Sequence, residues 1–354
     1  MKEKILTIII PSYNMEAYLE RCLSSLLVEE DLMDLFEALV INDGSKDKTS
    51  EIGHRFEAAY PNTFRVIDKE NGHYGSCVNR GLTEAKGTFV KILDADDSFD
   101  KDVFKEYLLF LKKEDVINSA DVIVSDYAEV DNDLKVKKVT CYSSHPTSYS
   151  FAEVTDADRF EWFIHCLTYR TDILKNNHYQ QTEGIAYTDQ EWAFIPMAFA
   201  EVLIKYDKTL YLYTVGREAQ SVDPRIHAKN LWMEVAVVKR LVRFYSSHKN
   251  QLKELNRRFL FDRLQTIVTH LYQLYLLTFK KYIHQMEPLE ELDGMLKSDC
   301  PEIYEATNLY VTRIARFSFH PIKNWRAKSS LLIFLQEAIY NVADWVAKIT
   351  ERIR

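Results

Sequence analysis

The stretch Phe89-Val90-Lys91-Ile92-Leu93-Asp94-Ala95-Asp96-Asp97 joins an apolar run directly to a turn with three carboxylates. The apolar run predicts a buried strand, and acidic side chains at its end are costly to desolvate unless a cation lies nearby. Carboxylate oxygens are hard ligands that suit Mg²⁺ or Mn²⁺. The alternative is an acidic turn that only caps the next helix. An EF-hand is excluded, because Phe99 replaces its glycine and Lys105 its glutamate.

The first hundred residues alternate apolar runs with helical patterns. The predicted strands are Ile5–Ile10, Phe36–Ile41, Phe64–Ile67 and Phe89–Leu93, and the predicted helices between them are Met15–Val28, Lys48–Tyr60 and Cys77–Ala85. This alternation predicts βαβ units and a largely parallel sheet. Ligands bind beyond the carboxyl ends of such strands. We therefore expect the polar clusters Ser12–Asn14, Asp43–Ser45 and Asp94–Asp97 to share one edge of the sheet.

Four motifs follow one another in an order that resembles glycosyltransferase family 2. They are Pro11-Ser12-Tyr13-Asn14, Asn42-Asp43-Gly44-Ser45, Asn71-Gly72 with Asn79-Arg80-Gly81, and Asp94-Ala95-Asp96-Asp97. The resemblance is close over the first hundred residues and extends to about Val222. It implies an α/β protein of the GT-A fold, with a Rossmann-like, mainly parallel mixed sheet flanked by helices. It also implies a nucleotide-diphosphate-sugar donor, a divalent metal (Mn²⁺ or Mg²⁺) and inversion at the anomeric carbon.

The resemblance also assigns donor-binding roles. Pro11, Tyr13, Asn14 and Asp43 would hold the nucleoside, and Asp43 would accept a hydrogen bond from the uracil imide N–H. Asp94 and Ala95 would lie near the ribose, Asn79 near the donor, and Asp96 would ligate the metal that bridges the diphosphate. Where the family often has Ala-Arg-Asn, this chain has Cys77-Val78-Asn79. Arg80 or Arg217 would then supply the missing guanidinium, which suits bidentate phosphate contact; the alternative makes Arg217 a solvated loop charge.

A second acidic motif lies between Ile185 and Pro196. A sugar hydroxyl that attacks an anomeric carbon must lose its proton, so a carboxylate base is required. The resemblance assigns this role to Asp189, with Glu191 as the alternative base or as a ligand of acceptor hydroxyls. Thr188 or Asp189 could instead only cap a helix that has Glu191 in its first turn. His165 and Trp192 are predicted on the acceptor side, although a lone histidine among apolar residues is also typical of a core.

Composition and charge argue against several other classes of protein. A formal charge of −8 and a pI near 5.8 argue against a dedicated nucleic-acid binder. The five cysteines have no C-x-x-C spacing, which is typical of reduced thiols. The N-terminal apolar run is too short for a signal peptide, and no stretch approaches the ~20 apolar residues of a membrane span. We expect a cytoplasmic protein, either free or peripheral on the inner face of the plasma membrane.

Residues 223–354 are predicted to form an all-α domain beside a catalytic domain of residues 1–222. Its roles would be acceptor binding, assembly or membrane contact. Tyr272, Tyr275, Phe279 and Tyr282 recur at helical spacing, which favours a helix-packing face; a sugar platform or a homo-oligomer interface is the alternative. Basic residues after Arg313, among them Arg326 and Lys328, could lie on an anionic membrane. A helix docked on its own domain is the competing interpretation.

The sequence therefore predicts an inverting, metal-dependent glycosyltransferase. It would move a hexose or N-acetylhexosamine from a UDP-sugar to a hydroxyl of a glycan, glycoprotein or glycolipid. The alternative is a catalytically silent protein that binds nucleotide sugars or acts as a scaffold. A nucleotidyltransferase is disfavoured, because the loop at Pro11–Asn14 is not a glycine-rich phosphate loop.

Overall fold

The computed structural model describes residues 4–141, 148–149, 162–216, 224–283, 285–314 and 317–329. The chain divides into two compact units. The first comprises Met1–Ser221 and Asn250–Leu260, and the second comprises Val222–Lys249 and Phe261–Arg354. The first unit is thus built from two separate segments of the chain.

A mixed ten-stranded sheet forms the centre of the first unit. Its order is β3-β2-β1-β4-β9-β6-β10-β5, with β7 beside β6 and β8 beside β10. β1 is parallel to β2 and β4, and β2 is parallel to β3, whereas β9 is antiparallel to β4 and β6. The strands are β1 Leu6–Ser12, β2 Phe36–Asn42, β3 Phe64–Asp68, β4 Phe89–Ile92, β5 Ser98–Phe99, β6 Val122–Val130, β7 Val136–Thr140, β8 Ser148–Tyr149, β9 Leu167–Arg170 and β10 Leu203–Thr214.

The four parallel strands predicted from the first hundred residues are confirmed. β1 and β2 are buried along their whole length, as expected for parallel strands covered on both faces. β1 extends two residues beyond the predicted end, because Pro11 and Ser12 pair with the end of β2. Proline is tolerated there because β4 pairs only with Leu6–Ile9 and leaves the end of β1 at the rim of the sheet.

Short helices surround this sheet. One of them, α4, packs closely on β1, since a Cβ atom at Gly81 would lie 2.6 Å from the Ile9 side chain. It begins at His73, four residues before the predicted start at Cys77, so Tyr74 lies in its first turn. The helices of this region are α1 Leu19–Ser24, α2 Glu30–Met33, α3 Thr49–Ala59, α4 His73–Glu84, α5 Lys101–Leu111, α6 Glu114–Ser119, α7 Thr171–Asn176 and α8 Asp189–Phe194, with a 3₁₀ turn at Pro196–Ala198.

The predicted helical C-terminal region is present, and it also contains a short hairpin. Strands of three residues are too short to show a period-two pattern, which is why the all-α prediction omitted them. The elements are α9 Pro224–His248, α10 Glu254–Gln273 (whose first residues belong to the first unit), a π turn Leu274–Thr278, a 3₁₀ turn Lys280–Tyr282, α11 Glu287–Asp299, α12 Pro301–Asn308, β11 Thr312–Ile314, β12 Phe317–Phe319 and α13 Pro321–Arg326. No helix in these described ranges combines the length and apolarity needed to cross a bilayer.

The aromatic stripe of this region is a packing face. Tyr272, Tyr275 and Phe279 are at most 6% exposed. These three rings are therefore not available as a sugar platform, and a homo-oligomer through other parts of the helices stays a prediction. Most of the basic tail, including the apolar run from residue 331 onward, lies outside the described residues.

Arg326 is not the surface charge that the membrane hypothesis requires. Its side chain is 6% exposed and its Nε donates to Asp293 Oδ1 at 2.7 Å. Its other nitrogens donate to the Tyr304 carbonyl at 2.7 Å and to the Tyr272 hydroxyl at 3.0 Å, and the guanidinium stacks on the Tyr304 ring. Arg326 thus joins α10, α11, α12 and α13, and the prediction that it faces a membrane is wrong.

Arg326→Ala should destabilise the second unit by about 2 kcal/mol, because it removes charged hydrogen bonds and leaves Asp293 without its cation. The measurement is the free energy of unfolding of the full chain in urea. Lys323→Ala is the matched control, since this lysine lies on the same helix and is exposed. Equal stability of the two variants would contradict the assigned role.

Candidate functional site

The three predicted polar clusters lie at one edge of the sheet. Ser12 and Asn42 are paired at the ends of β1 and β2, and the Asp43 amide donates to the Ser12 carbonyl at 2.8 Å. On the other side of β1, the Leu93 amide donates to the Ile9 carbonyl at 2.9 Å. The acidic turn that follows β4 is therefore next to the loops that follow β1 and β2, as expected from the parallel order.

The acidic turn is fixed by hydrogen bonds to β10. Asp97 accepts from the Tyr211 hydroxyl at 2.7 Å and from the Thr214 amide at 2.7 Å. Arg21 reinforces the turn, because it donates to the Asp96 carbonyl at 2.8 Å and to the Thr214 hydroxyl at 3.0 Å. Burial, with Asp96 and Asp94 adding to it, raises the pKa of Asp97 well above its usual range. Three carboxyl groups this close together disfavour one another's ionised form, and a bound cation would offset that repulsion.

Asp94, Asp97 and His165 bring three potential metal ligands together. Each offers one ligand atom, and these atoms lie within 4.8 Å of one another. His165 Nδ1 is buried and has no hydrogen-bond partner in the described part of the chain. Burial, with the Lys91 charge adding to it, lowers the pKa of His165 to about 3, so its ring is neutral at physiological pH. A neutral imidazole beside two carboxylates fits a divalent metal.

Asp96, the metal ligand assigned from the sequence, is not part of this group of three. Its side chain is buried, as is that of Ala95, and its role as a ligand stays a prediction. His165 was predicted on the acceptor side, which stays a prediction; in the structure its ring lies beside the Asp94 and Asp97 carboxylates. Its position results from the pairing of β4 with β9, which brings residues more than seventy positions apart together.

Aromatic rings and a buried lysine hold His165 in place. Its ring lies 4.9 Å from the Tyr211 ring and 4.5 Å from the Tyr213 ring, measured between centroids. The Lys91 ammonium donates to the His165 carbonyl at 2.8 Å. Burial lowers the pKa of Lys91 to about 7. The sequence showed Lys91 only as a polar residue inside a strand, and its contact was not predicted.

The predicted nucleoside residues meet at the ends of β1 and β2. Pro11 is buried in β1, whereas Tyr13 is 46% exposed. Asn14 has a positive φ of 54°, and its side chain accepts from the Lys46 amide at 2.8 Å. Asp43 is buried and accepts from the Lys69 ammonium at 2.6 Å. The loops that follow β1 and β2 are therefore hydrogen-bonded to each other, and Tyr13 is the exposed aromatic residue of this pair.

Asn79 and Arg80 are engaged within the protein. The Asn79 amide donates to the Gln181 carbonyl at 2.9 Å and to Glu183 at 2.8 Å, and it accepts from the Gln181 amide at 2.7 Å. Asn79 thus holds the segment that precedes α8, and its donor contact stays a prediction. Arg80 pairs with Glu84 on its own helix at 2.9 Å, which argues against the proposed diphosphate contact. Arg217 lies outside the described residues.

Asp189 is the first residue of α8 and is half-buried. Tyr74 contacts one of the potential metal ligands, because the Tyr74 hydroxyl donates a hydrogen bond to Asp94 Oδ1 at 2.8 Å. Burial raises the pKa of Tyr74 well above its usual range, and the charges of Asp94 and Asp189 add to this effect. The predicted base therefore lies close enough to act electrostatically on a residue that touches Asp94.

Glu191 and Trp192, the other two residues predicted in this motif, are buried inside the protein. Both oxygens of Glu191 accept from Thr182, at 2.8 Å from its amide and 2.6 Å from its hydroxyl, and Glu191 is fully buried. Trp192 is also fully buried, with its ring 5.1 Å from that of Tyr169. Neither side chain is exposed in this structure, and their contacts with acceptor hydroxyls stay a prediction.

Comparisons with known proteins agree with this arrangement. Residues 7–177 match the model of the family described as glycosyl transferase family 2. The uncharacterised glycosyltransferase EpsJ of Bacillus subtilis is 28% identical over 219 residues, which cover 59% of this chain and 60% of EpsJ. The chain thus spans less than two thirds of that relative's length.

Two solved structures share the fold. Residues 1–349 of S. aureus TarS in complex with UDP-GlcNAc superpose with a TM-score of 0.53 at 18% identity, covering 92% of each chain. The mannosyltransferase PcManGT from Pyrobaculum calidifontis, in complex with GDP-Man and Mn²⁺, gives a TM-score of 0.52 at 13% identity and covers 97% of this chain and 86% of its own. The protein therefore has the GT-A fold, and its residues 7–177 match glycosyltransferase family 2.

Proposed function

We propose that this chain is an inverting, metal-dependent hexosyltransferase that uses a UDP-sugar. It would transfer a hexose or N-acetylhexosamine to a hydroxyl group of a glycan, glycoprotein or glycolipid. The observation that carries the proposal is the group Asp94, Asp97 and His165, at the sheet edge that also holds Asp43. The nucleotide sugars and the Mn²⁺ named for TarS and PcManGT support a metal-bound donor.

Asp94, Asp97 and His165 would hold the metal. When bound, it would neutralise the charge that develops on the diphosphate leaving group. A nitrogen ligand beside two carboxylates suits Mn²⁺ better than Mg²⁺, which prefers oxygen ligands and water. Tyr74 orients Asp94, and Tyr211 with the Thr214 amide orients Asp97. Each carboxylate oxygen that accepts one hydrogen bond keeps a lone pair for a metal.

Asp189 would act as the base. A direct displacement inverts the anomeric carbon, and it requires the acceptor hydroxyl to give up its proton on the side opposite the leaving group. Asp189 is half-buried at the start of α8, and its charge acts on Tyr74. Glu191 is less suited to this role, because Thr182 occupies both of its oxygens.

We assign donor and metal binding to residues 1–222. For residues 223–354 we propose acceptor binding, assembly or peripheral contact with the inner face of the plasma membrane. Arg326 takes no part in such a contact, because it is buried. Cytoplasmic location follows the sequence argument and is part of the proposal.

The test is UDP release from UDP-glucose, UDP-galactose and UDP-N-acetylhexosamines with Mn²⁺, with and without EDTA. We expect slow hydrolysis of at least one donor, and its loss in EDTA. Asp102→Asn is a matched control, because this carboxylate is 91% exposed. UDP binding without hydrolysis of any donor would favour the catalytically silent alternative, and no UDP binding would overturn the proposal.

A further inference from the structure

Lys69 is a fixed part of the Asp43 site. It follows β3 directly, and its ammonium donates to Asp43 Oδ1 at 2.6 Å, to the Ser76 hydroxyl at 2.8 Å and to the Glu70 carbonyl at 2.6 Å. An ammonium has three protons, and these three bonds use all of them. Lys69 is therefore built to position Asp43 and has no donor left for a ligand.

The Asp43 carboxylate is held asymmetrically. Besides Lys69, the Gly72 amide donates to Oδ1 at 2.9 Å, and the Asn71 side chain holds the Asp43 carbonyl at 2.9 Å. Among the described residues, both nitrogen donors to this carboxylate thus end on the same oxygen, Oδ1. The Cys77 thiol also forms a hydrogen bond with the Asp43 carboxylate, and a thiol is a weak donor. Burial, with the Asp43 charge adding to it, raises the pKa of this thiol to about 12, so it stays neutral.

We propose that Lys69 determines the nucleobase specificity of this site by committing one oxygen of Asp43. This inference rests on the proposed function. Because Lys69 and Gly72 already donate to Oδ1, the carboxylate has Oδ2 as its acceptor for a nucleobase. One acceptor oxygen suits a base edge that has a single N–H donor. Uracil has such an edge, with N3–H between two carbonyl groups. Guanine presents two adjacent donors, N1–H and the 2-amino group, and a bidentate contact with them requires both carboxylate oxygens.

The chemistry also separates uracil from cytosine. The N3 atom of cytosine carries a lone pair, which would face the negative carboxylate without a proton between them. We therefore expect the site to bind uridine diphosphate sugars more tightly than cytidine or guanosine diphosphate sugars. Lys69 acts through Asp43 and does not touch the base.

Calorimetry on the full chain tests this role with UDP and pseudoisocytidine 5′-diphosphate. Pseudoisocytidine is a C-nucleoside that keeps the pyrimidine ring, and its N3–H tautomer presents two adjacent donors as guanine does, N3–H and the 2-amino group, so the two nucleotides have the same ring size. We expect wild type to bind UDP at least about tenfold more tightly, a difference of about 1.4 kcal/mol. Lys69→Met should bring the two dissociation constants within about threefold, because Oδ1 of Asp43 then keeps only the Gly72 hydrogen bond and has a lone pair for a second donor of the base. Lys86→Met is the control, since it removes one exposed lysine.

The possible outcomes separate this inference from the proposed function. Wild type that binds both nucleotides equally would overturn the role of Lys69, and this comparison needs no variant to fold. A wild-type preference that Lys69→Met leaves unchanged would overturn it as well, provided that circular dichroism shows a folded variant. Failure of wild type to bind any nucleotide would overturn the proposed function and this inference together.

Discussion

Asp189→Asn is expected to lower kcat at least about a hundredfold, which is typical for the loss of a general base. The amide has nearly the same shape as the carboxylate but cannot take the proton of an acceptor hydroxyl. UDP affinity in Mn²⁺ should change less than about threefold, since the proposed base faces the acceptor. The measurements are steady-state turnover with an accepted sugar acceptor and UDP binding by calorimetry.

Two further variants make the assignment of the base specific. Asp102→Asn changes an exposed carboxylate and should keep wild-type turnover. Glu191→Gln should act mainly on stability, because an amide nitrogen would then face the Thr182 amide or hydroxyl that now donates to Glu191. If Glu191→Gln loses turnover while folded and Asp189→Asn keeps it, the roles of the two residues are reversed.

The sheet edge could be predicted because its signals are local. Each of the strands β1, β2 and β4 is a short apolar run followed at once by a polar loop. Alternation with helices implies that these strands are parallel, and parallel strands bring their carboxyl ends to one edge. Asp43 and Asp94 were therefore placed near each other from the sequence alone.

The contacts around these two carboxylates could not be predicted in the same way. His165 reaches Asp94 only through the antiparallel pairing of β9 with β4, and no local pattern encodes that pairing. Lys69 was not singled out from the sequence, although its ammonium donates to both Asp43 and Ser76.

Asn79 and Glu191 make contacts within the chain that the sequence did not reveal. Their side chains match the family pattern, but a pattern does not reveal whether a side chain binds a ligand or another part of the chain. Asn79 holds the Gln181 backbone and Glu191 holds Thr182, so both fix the segment that precedes α8. These residues position the loop that carries the proposed base, which is a reason for their type that needs no direct ligand contact.

The largest effect is expected from loss of the metal. His165→Phe keeps a ring that can pack against Tyr211 and Tyr213 but removes the nitrogen ligand. A metal that stabilises the leaving group contributes several kcal/mol, so turnover should fall about a thousandfold. Asp94→Asn should behave in the same way. In both variants the gain in UDP affinity caused by Mn²⁺ should disappear, while metal-free UDP binding of His165→Phe stays within about threefold of wild type.

Comparison with Asp96→Asn decides between the two assignments of the metal ligands. The sequence pattern assigned the metal to Asp96, whereas the ligand atoms that lie within 4.8 Å of one another belong to Asp94, Asp97 and His165. Titration of Mn²⁺ followed by electron paramagnetic resonance counts bound metal directly and does not depend on turnover. If His165→Phe binds Mn²⁺ and UDP as wild type does, and Asp96→Asn does not, the ligand set drawn from the structure is wrong. If all of these variants lose the metal, Asp96 is a further ligand, because a single ion accepts oxygen ligands beyond the three residues named here.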